Sequence, residues 1–293
     1  MKGLVSLAVV LCLSVAVTAQ SQNLLQNATF NSGITPWFSG TFSTADALGL
    51  ANSGSIQGTN AAATGFTFES LVSECFPVVG GKVYERRFDY RFVASSGVTG
   101  NVALTAGWYS NPNCSGFLFV PGTQGTALAD GAWHPRSDSA LTAPSLAQSA
   151  NVRLEITKLQ AGGSVTANFD NVVFKPAGTC APLPDVLCLN NSRFQVEANW
   201  ETASNTGRAR VVKLTADTGY LWFFGPDNVE VVIKVLDACS FVGTFWVFAG
   251  GLTDQGASIT VTDTKTGAVK SYTNVRGVPF APIQDTNAFA TCP

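Results

Sequence analysis

Short runs of alternating apolar and polar residues, each closed within about ten residues by Gly, Asn, Ser or Pro, constrain this chain most. Val83–Val93, Val102–Tyr109 and Asn151–Thr157 alternate in the first half, and Arg193–Glu201, Val229–Leu236, Gly243–Phe248, Ser258–Asp263 and Ala268–Tyr272 in the second. Successive side chains of a strand point to opposite faces, so each run has a face to bury and a face to wet. Beyond the first nineteen residues no stretch sustains apolar residues at helical spacing for three turns. The expected class is all-β, built from half-buried antiparallel strands.

Residues 1–19 read as an export signal: Lys2 supplies the charge, Leu4–Val17 the apolar run, and Val17-Thr18-Ala19 the small-residue cleavage site. The mature chain is expected to begin near Gln20 and to be secreted. No later stretch reaches the roughly 18 apolar residues of a membrane span. With Cys12 in the leader, six cysteines remain: Cys75, Cys114, Cys180, Cys188, Cys239 and Cys292. An even count in an exported chain reads as disulfides. Cys75 and Cys114 stand alone in the first half and are expected to pair. The other four allow three connectivities, of which 180–188 and 239–292 are favoured. Zinc is disfavoured by the single histidine and the absence of C-x-x-C.

Charged residues make up 12% of the chain and the formal net charge is −2. Nucleic acid is therefore not an expected partner, because phosphates demand clustered Lys and Arg. Arg86, Arg87 and Arg91 form the one basic cluster and read as a solvated strand face. A hydrolytic triad has only His134, followed by Pro135 in an expected loop, and no G-x-S-x-G elbow occurs. Glutamates are plentiful, but most fall on the polar side of a strand. No enzyme is expected.

Lys175–Asp185 carries three prolines and interrupts the alternation, so it reads as a linker. The expected organisation is a signal peptide at 1–19, a β-sandwich at 20–176, a Pro-rich linker at 177–186 and a smaller Ig-like or Greek-key sandwich at 187–293. In that second unit Tyr220, Trp222 and Phe224 share one face and Leu221 and Phe223 the other, the pattern of a central strand buried on both sides.

Two edges then acquire meaning together: Asn23-Leu-Leu-Gln-Asn-Ala-Thr-Phe30-Asn31-Ser-Gly33-Ile-Thr-Pro36-Trp37 and Val165-Thr-Ala-Asn-Phe169-Asp170-Asn171-Val172-Val-Phe174. With Glu74–Tyr84, Tyr109–Gly116 and Gly131–Trp133 between them, residues 20–176 resemble a carbohydrate-binding-module-like β-sandwich of jelly-roll type. In related modules an acidic residue after the first-strand Phe and the Asp of the last strand share a structural calcium with backbone carbonyls. The resemblance implies that role for Asp170. The first position is Asn31, which keeps an amide oxygen and loses a charge. No essential cofactor is implied. Residues 187–293 resemble a domain of unassigned activity that recurs in secreted bacterial proteins, carried by Thr215–Phe224, Pro226–Glu230, Val235–Cys239, Phe245–Phe248 and Thr260–Thr264.

Sugar recognition needs an exposed aromatic ring with polar neighbours. Trp37 and Trp133 occupy positions that the family uses for packing. Trp108 and Tyr109 are adjacent on a strand and must face opposite sides, so one of them is expected to be exposed as a ligand platform. The expected function is a secreted, non-enzymatic binding protein for polysaccharide or cell-surface glycan. The alternative is a structural or assembly module of the cell exterior without a small-molecule ligand.

Overall fold

The computed structural model describes residues 23–95, 99–121 and 128–293; the export signal expected at residues 1–19 lies outside them. The fold is all-β, with twenty strands and one four-residue helix among the described residues. Four five-stranded antiparallel sheets form two sandwiches.

In the first sandwich, one sheet takes the order β1(Thr41–Ser43)-β2(Ser55–Asn60)-β10(Val165–Pro176)-β5(Val83–Ser95)-β8(His134–Thr142). Its partner has the order β3(Thr67–Val72)-β9(Ser149–Lys158)-β6(Gly100–Tyr109)-β7(Phe117–Phe119), with β4(Phe76–Pro77) also on β9. The alternation decides what fills the space between the sheets. Tyr84, Phe88, Tyr90 and Phe92 of β5 and Phe169 and Phe174 of β10 meet Leu104 and Trp108 of β6 and Val152, Leu154 and Ile156 of β9. Phe174 stacks on Tyr84 at 5.3 Å and packs 6.0 Å from Trp108. Asn23 ties the ends of this sandwich together, donating to Val172 O and accepting from Phe174 N.

Arg86 corrects the expectation of a solvated arginine face. It shares the inward face of β5 with Tyr84 and Phe88, is buried, and donates to Ser139 O and Leu104 O of two other strands. His134 begins strand β8 rather than lying in a loop, and its Nε2 lies 2.8 Å from Asp130 Oδ1.

The second sandwich pairs β11(Leu187–Leu189)-β12(Phe194–Glu201)-β18(Gly256–Asp263)-β19(Ala268–Asn274), with β13(Thr206–Arg208) on β12, against β14(Arg210–Lys213)-β15(Thr218–Trp222)-β16(Val231–Asp237)-β17(Phe245–Gly251)-β20(Ile283–Phe289). Phe194, Val196, Leu221, Ile233, Val247, Ile259 and Phe289 fill its core. β15 is not buried on both sides: Leu221 faces the core, whereas Tyr220 and Trp222 are half-buried on the outer face and Phe224 is exposed. Among the described residues no third layer covers the outer face of this sheet.

Between the sandwiches, residues 177–186 are a packed element rather than a loose spacer. Cys180, Ala181, Leu183 and Val186 make a small buried cluster with Val173 and Cys188. The cysteines pair as Cys75–Cys114, Cys180–Cys188 and Cys239–Cys292, the pairings favoured from the sequence. Three disulfides suit an oxidising, extracellular environment. No helix among the described residues is long and apolar enough to cross a membrane.

Thiol titration of denatured, unreduced protein should find none of these six cysteines reactive. The Cys75–Cys114 bridge spans 39 residues. Replacing both cysteines with Ala is expected to lower unfolding free energy in denaturant titration by about 4 kcal/mol through the freed denatured chain.

Candidate functional site

The outer face of the β3-β9-β6-β7 sheet gathers polar side chains that the inner packing cannot use. Inward residues of β9 alternate with Asn151, Arg153, Glu155 and Thr157, which all point outward beside Thr105, Gly107 and Tyr109 of β6 and Phe68, Ser70 and Val72 of β3. Ser70 Oγ, Asn151 Oδ1 and Arg153 Nε are buried and have no hydrogen-bond partner among the described residues. Burial raises the Glu155 carboxyl above its usual range, against the pull of Arg153. Unpaired buried polar atoms cost about 1–3 kcal/mol each, so three on one face call for a partner from outside the chain. Gly107 keeps this face open, since a Cβ there would stand 2.6 Å from Asn151 Oδ1 and 3.1 Å from the Tyr109 hydroxyl. Exposed rings bound the strip, with Phe68 opposite Thr157 at one end and Phe117 packed on Tyr109 at the other.

Trp108 and Tyr109 do face opposite sides of β6, yet neither is exposed as expected. Trp108 is 1% exposed in the sandwich core, and Tyr109 is 8% exposed on the outer face. The outer ring is covered because Phe117 packs against it at 5.9 Å, while Asn151 Nδ2 donates to its hydroxyl at 3.2 Å. Trp108 is thus removed as a ligand platform, and Tyr109 contributes a hydroxyl at the border of the strip rather than a stacking face. Trp37 is a core residue, packed edge-on to Phe30. Asn151, Arg153, Ser70 and Phe68 were missed as site residues. Their signal was present in the polar half of two alternating strands, which read as solvated.

Asn31 and Asp170 fall in different surroundings. Asn31 is exposed, and its amide oxygen accepts from Ser53 Oγ, which also donates to Thr29 O. Asp170 is fully buried and accepts from the backbone N–H groups of Ala47 and Asn171. Its carboxyl is pushed up to about 8, chiefly by burial and also by Asp46 and Asp89, against the downward pull of the two N–H groups. Among the described residues no group of three or more His, Cys, Asp and Glu side chains is placed to hold a metal ion. The Asp170 carboxylate and the Asn31 amide oxygen are each hard oxygens of the kind calcium takes, the first already accepting from two backbone N–H groups and the second from the Ser53 hydroxyl.

Asp170 stands opposite Asp89 on β5, at a bulge where Asn171 takes a φ of 48°. There the first sandwich meets the second. Arg208 of β13 donates to Asp89 Oδ2 at 2.7 Å and to Asp185 Oδ2 at 2.7 Å, and Arg87 reaches Asp185 at 3.4 Å and Glu197 at 3.1 Å. Asn171 Nδ2 also donates to Asp89, and Arg210 donates to Leu48 O. Beside this network a polar cleft of about 460 Å³ opens, lined by Arg87, Ser137, Glu197, Asn199, Arg208 and Thr260 among others.

Compared with known proteins, the chain matches no family model, and no curated protein resembles it closely enough to count as a relative.

Three expectations follow from this geometry. Trp108→Ala should cost about 3–5 kcal/mol in chemical denaturation as a buried aromatic deletion. Arg208→Ala strands the carboxylate of Asp89, which is fully buried, and should cost about 3–5 kcal/mol. Asp170 has a folded-state value raised from 3.8 to about 8, so the native state holds a proton that the unfolded state releases. Its contribution to stability is therefore full below pH 4 and is lost as pH rises towards 8. Denaturation between these limits should show a falling component of up to about 1.4 kcal/mol per pH unit that Asp170→Asn abolishes.

Proposed function

We propose that the protein is a secreted, non-enzymatic binding protein that recognises glycan through the outer face of the β3-β9-β6-β7 sheet. The observation that carries this reading is the set of buried, unpartnered polar atoms of Ser70, Asn151 and Arg153 between the exposed rings of Phe68 and Phe117. Saccharides offer donors and acceptors in close alternation, with apolar C–H faces that pack on aromatic rings. A strip of amide, guanidinium, carboxylate and hydroxyl groups ending in phenyl rings matches both properties. The leader at residues 1–19, the three disulfides and the resemblance to carbohydrate-binding modules support the same reading. Under it, a structural calcium at Asp170 would stiffen the first sandwich and take no part in binding sugar.

Retention of the protein in native gels containing soluble polysaccharides tests the proposal. On the polysaccharide that retards the native protein most, Arg153→Ala and Phe68→Ala should each weaken binding at least tenfold with little change in melting temperature. Binding equal to that of the native protein in both variants would overturn this assignment in favour of a structural module of the cell exterior. For the ion, calcium should raise the melting temperature of the native protein at pH 8 and leave that of Asp170→Asn unchanged.

A further inference from the structure

The geometry points to a second saccharide site, a groove for a linear polysaccharide along the outer face of the β12–β18 pair, walled on one side by the first sandwich. Two clefts make it. The cleft at the seam has about 460 Å³. Another of about 530 Å³ lies at the far end of the same strands, and the two share Asn199.

Strand parity explains why the floor is polar. Phe194, Val196, Ala198 and Trp200 of β12 point inward, which leaves Gln195, Glu197, Asn199 and Glu201 outward in a row. Ser258 and Thr260 stand beside Asn199 and Glu197 on β18, and Thr273 continues the row on β19. From Gln195 to Glu201 the floor runs roughly 20 Å. Among the described residues the side chains of Asn199, Glu201 and Arg276 make no hydrogen bond or ion pair, so donors and acceptors stand side by side. Beneath the far cleft the Trp200 indole N–H is buried without an acceptor.

The chemistry separates the possible occupants. A peptide adding as a strand needs an unpaired edge, and both floor strands are paired on each side. Nucleic acid needs net positive charge, whereas Arg87 and Arg208 are already neutralised by Asp89, Asp185 and Glu197. An elongated floor of hydroxyl, amide and carboxylate groups, with one free guanidinium at its end, suits a chain of hydroxyl-bearing rings. Pro135 and Ser137 of β8 form the wall, held against the floor by the ion pairs of the seam. This site goes beyond the strip on the first sandwich and does not depend on it.

Native gels and calorimetry, with neutral β-glucan, xylan, mannan and polygalacturonate as probes, test the proposal. Asn199→Trp, which fills the groove at its midpoint, and the milder pair Asn199→Ala with Glu201→Gln should each weaken binding of at least one polysaccharide tenfold. That loss should persist when Arg153→Ala has already removed the first strip, and stoichiometry with a short oligosaccharide should be two per chain. Groove variants that bind as the native protein does, with one oligosaccharide per chain lost on Arg153→Ala, would overturn the groove and leave the first strip standing. Loss through the groove variants alone would do the reverse. Failure of the native protein to bind any of the four polysaccharides would overturn both.

Discussion

The position of one arginine governs the arrangement of the two sandwiches. Arg208 leaves the short strand β13, crosses the seam and divides its guanidinium between Asp89 and Asp185, two carboxylates with almost no solvent contact. A buried ion pair of this kind adds little net stability, since desolvation offsets the attraction, but it penalises any arrangement that separates the charges. Arg87 extends the same logic to Asp185 and Glu197, so the seam carries a chain of alternating charges in place of apolar packing. Orientation is what such a network fixes. The cleft walls at the seam hold their shape through the pairing of Arg87 and Arg208 with Asp89, Asp185 and Glu197.

Two kinds of polar surface can be told apart on this molecule. At the seam, opposite charges meet each other, with Asp185 Oδ1 and Arg210 Nε the atoms left over. On the outer sheet of the first sandwich, the half-buried Ser70, Asn151 and Arg153 each hold one polar atom withdrawn from water and unpaired among the described residues. Under the proposed glycan reading, a bound polyol would restore those hydrogen bonds and relieve the cost that the face carries without it. Exposed phenyl rings at either end would, under the same reading, take the C–H face of a sugar.

Much of the fold was legible in the order of residues. Alternation in Val83–Val93 and Arg193–Glu201 placed strands and their inward faces, and the even cysteine count with its spacing matched the pairing. The opposite orientation of Trp108 and Tyr109 also followed from a period of two. Exposure did not follow, because what covers Tyr109 comes from Phe117 and Asn151, on two other strands. Arg86 misled for a related reason: its place on the inward face was readable, but the carbonyls of Leu104 and Ser139 that accept its hydrogen bonds were not. The seam was invisible, since an outward Asp on β5 looks solvated until β13 arrives more than a hundred residues later. Pattern reads one strand at a time, whereas desolvation depends on neighbours from anywhere in the chain.

The tie made by Asn23 has a consequence for how the molecule comes into being. Its side chain holds Val172 and Phe174, about 150 positions away, and β2 pairs with β10 at a comparable remove. No partial product of synthesis can close the first core, because the closing strand is the last one made. Such topology folds slowly, the loop entropy being lost before the contacts that reward it. An emerging chain therefore stays open until Phe174 is available, and the Cys75–Cys114 bridge, falling inside that interval, shortens the search if it forms first. The first sandwich matures as a unit or not at all.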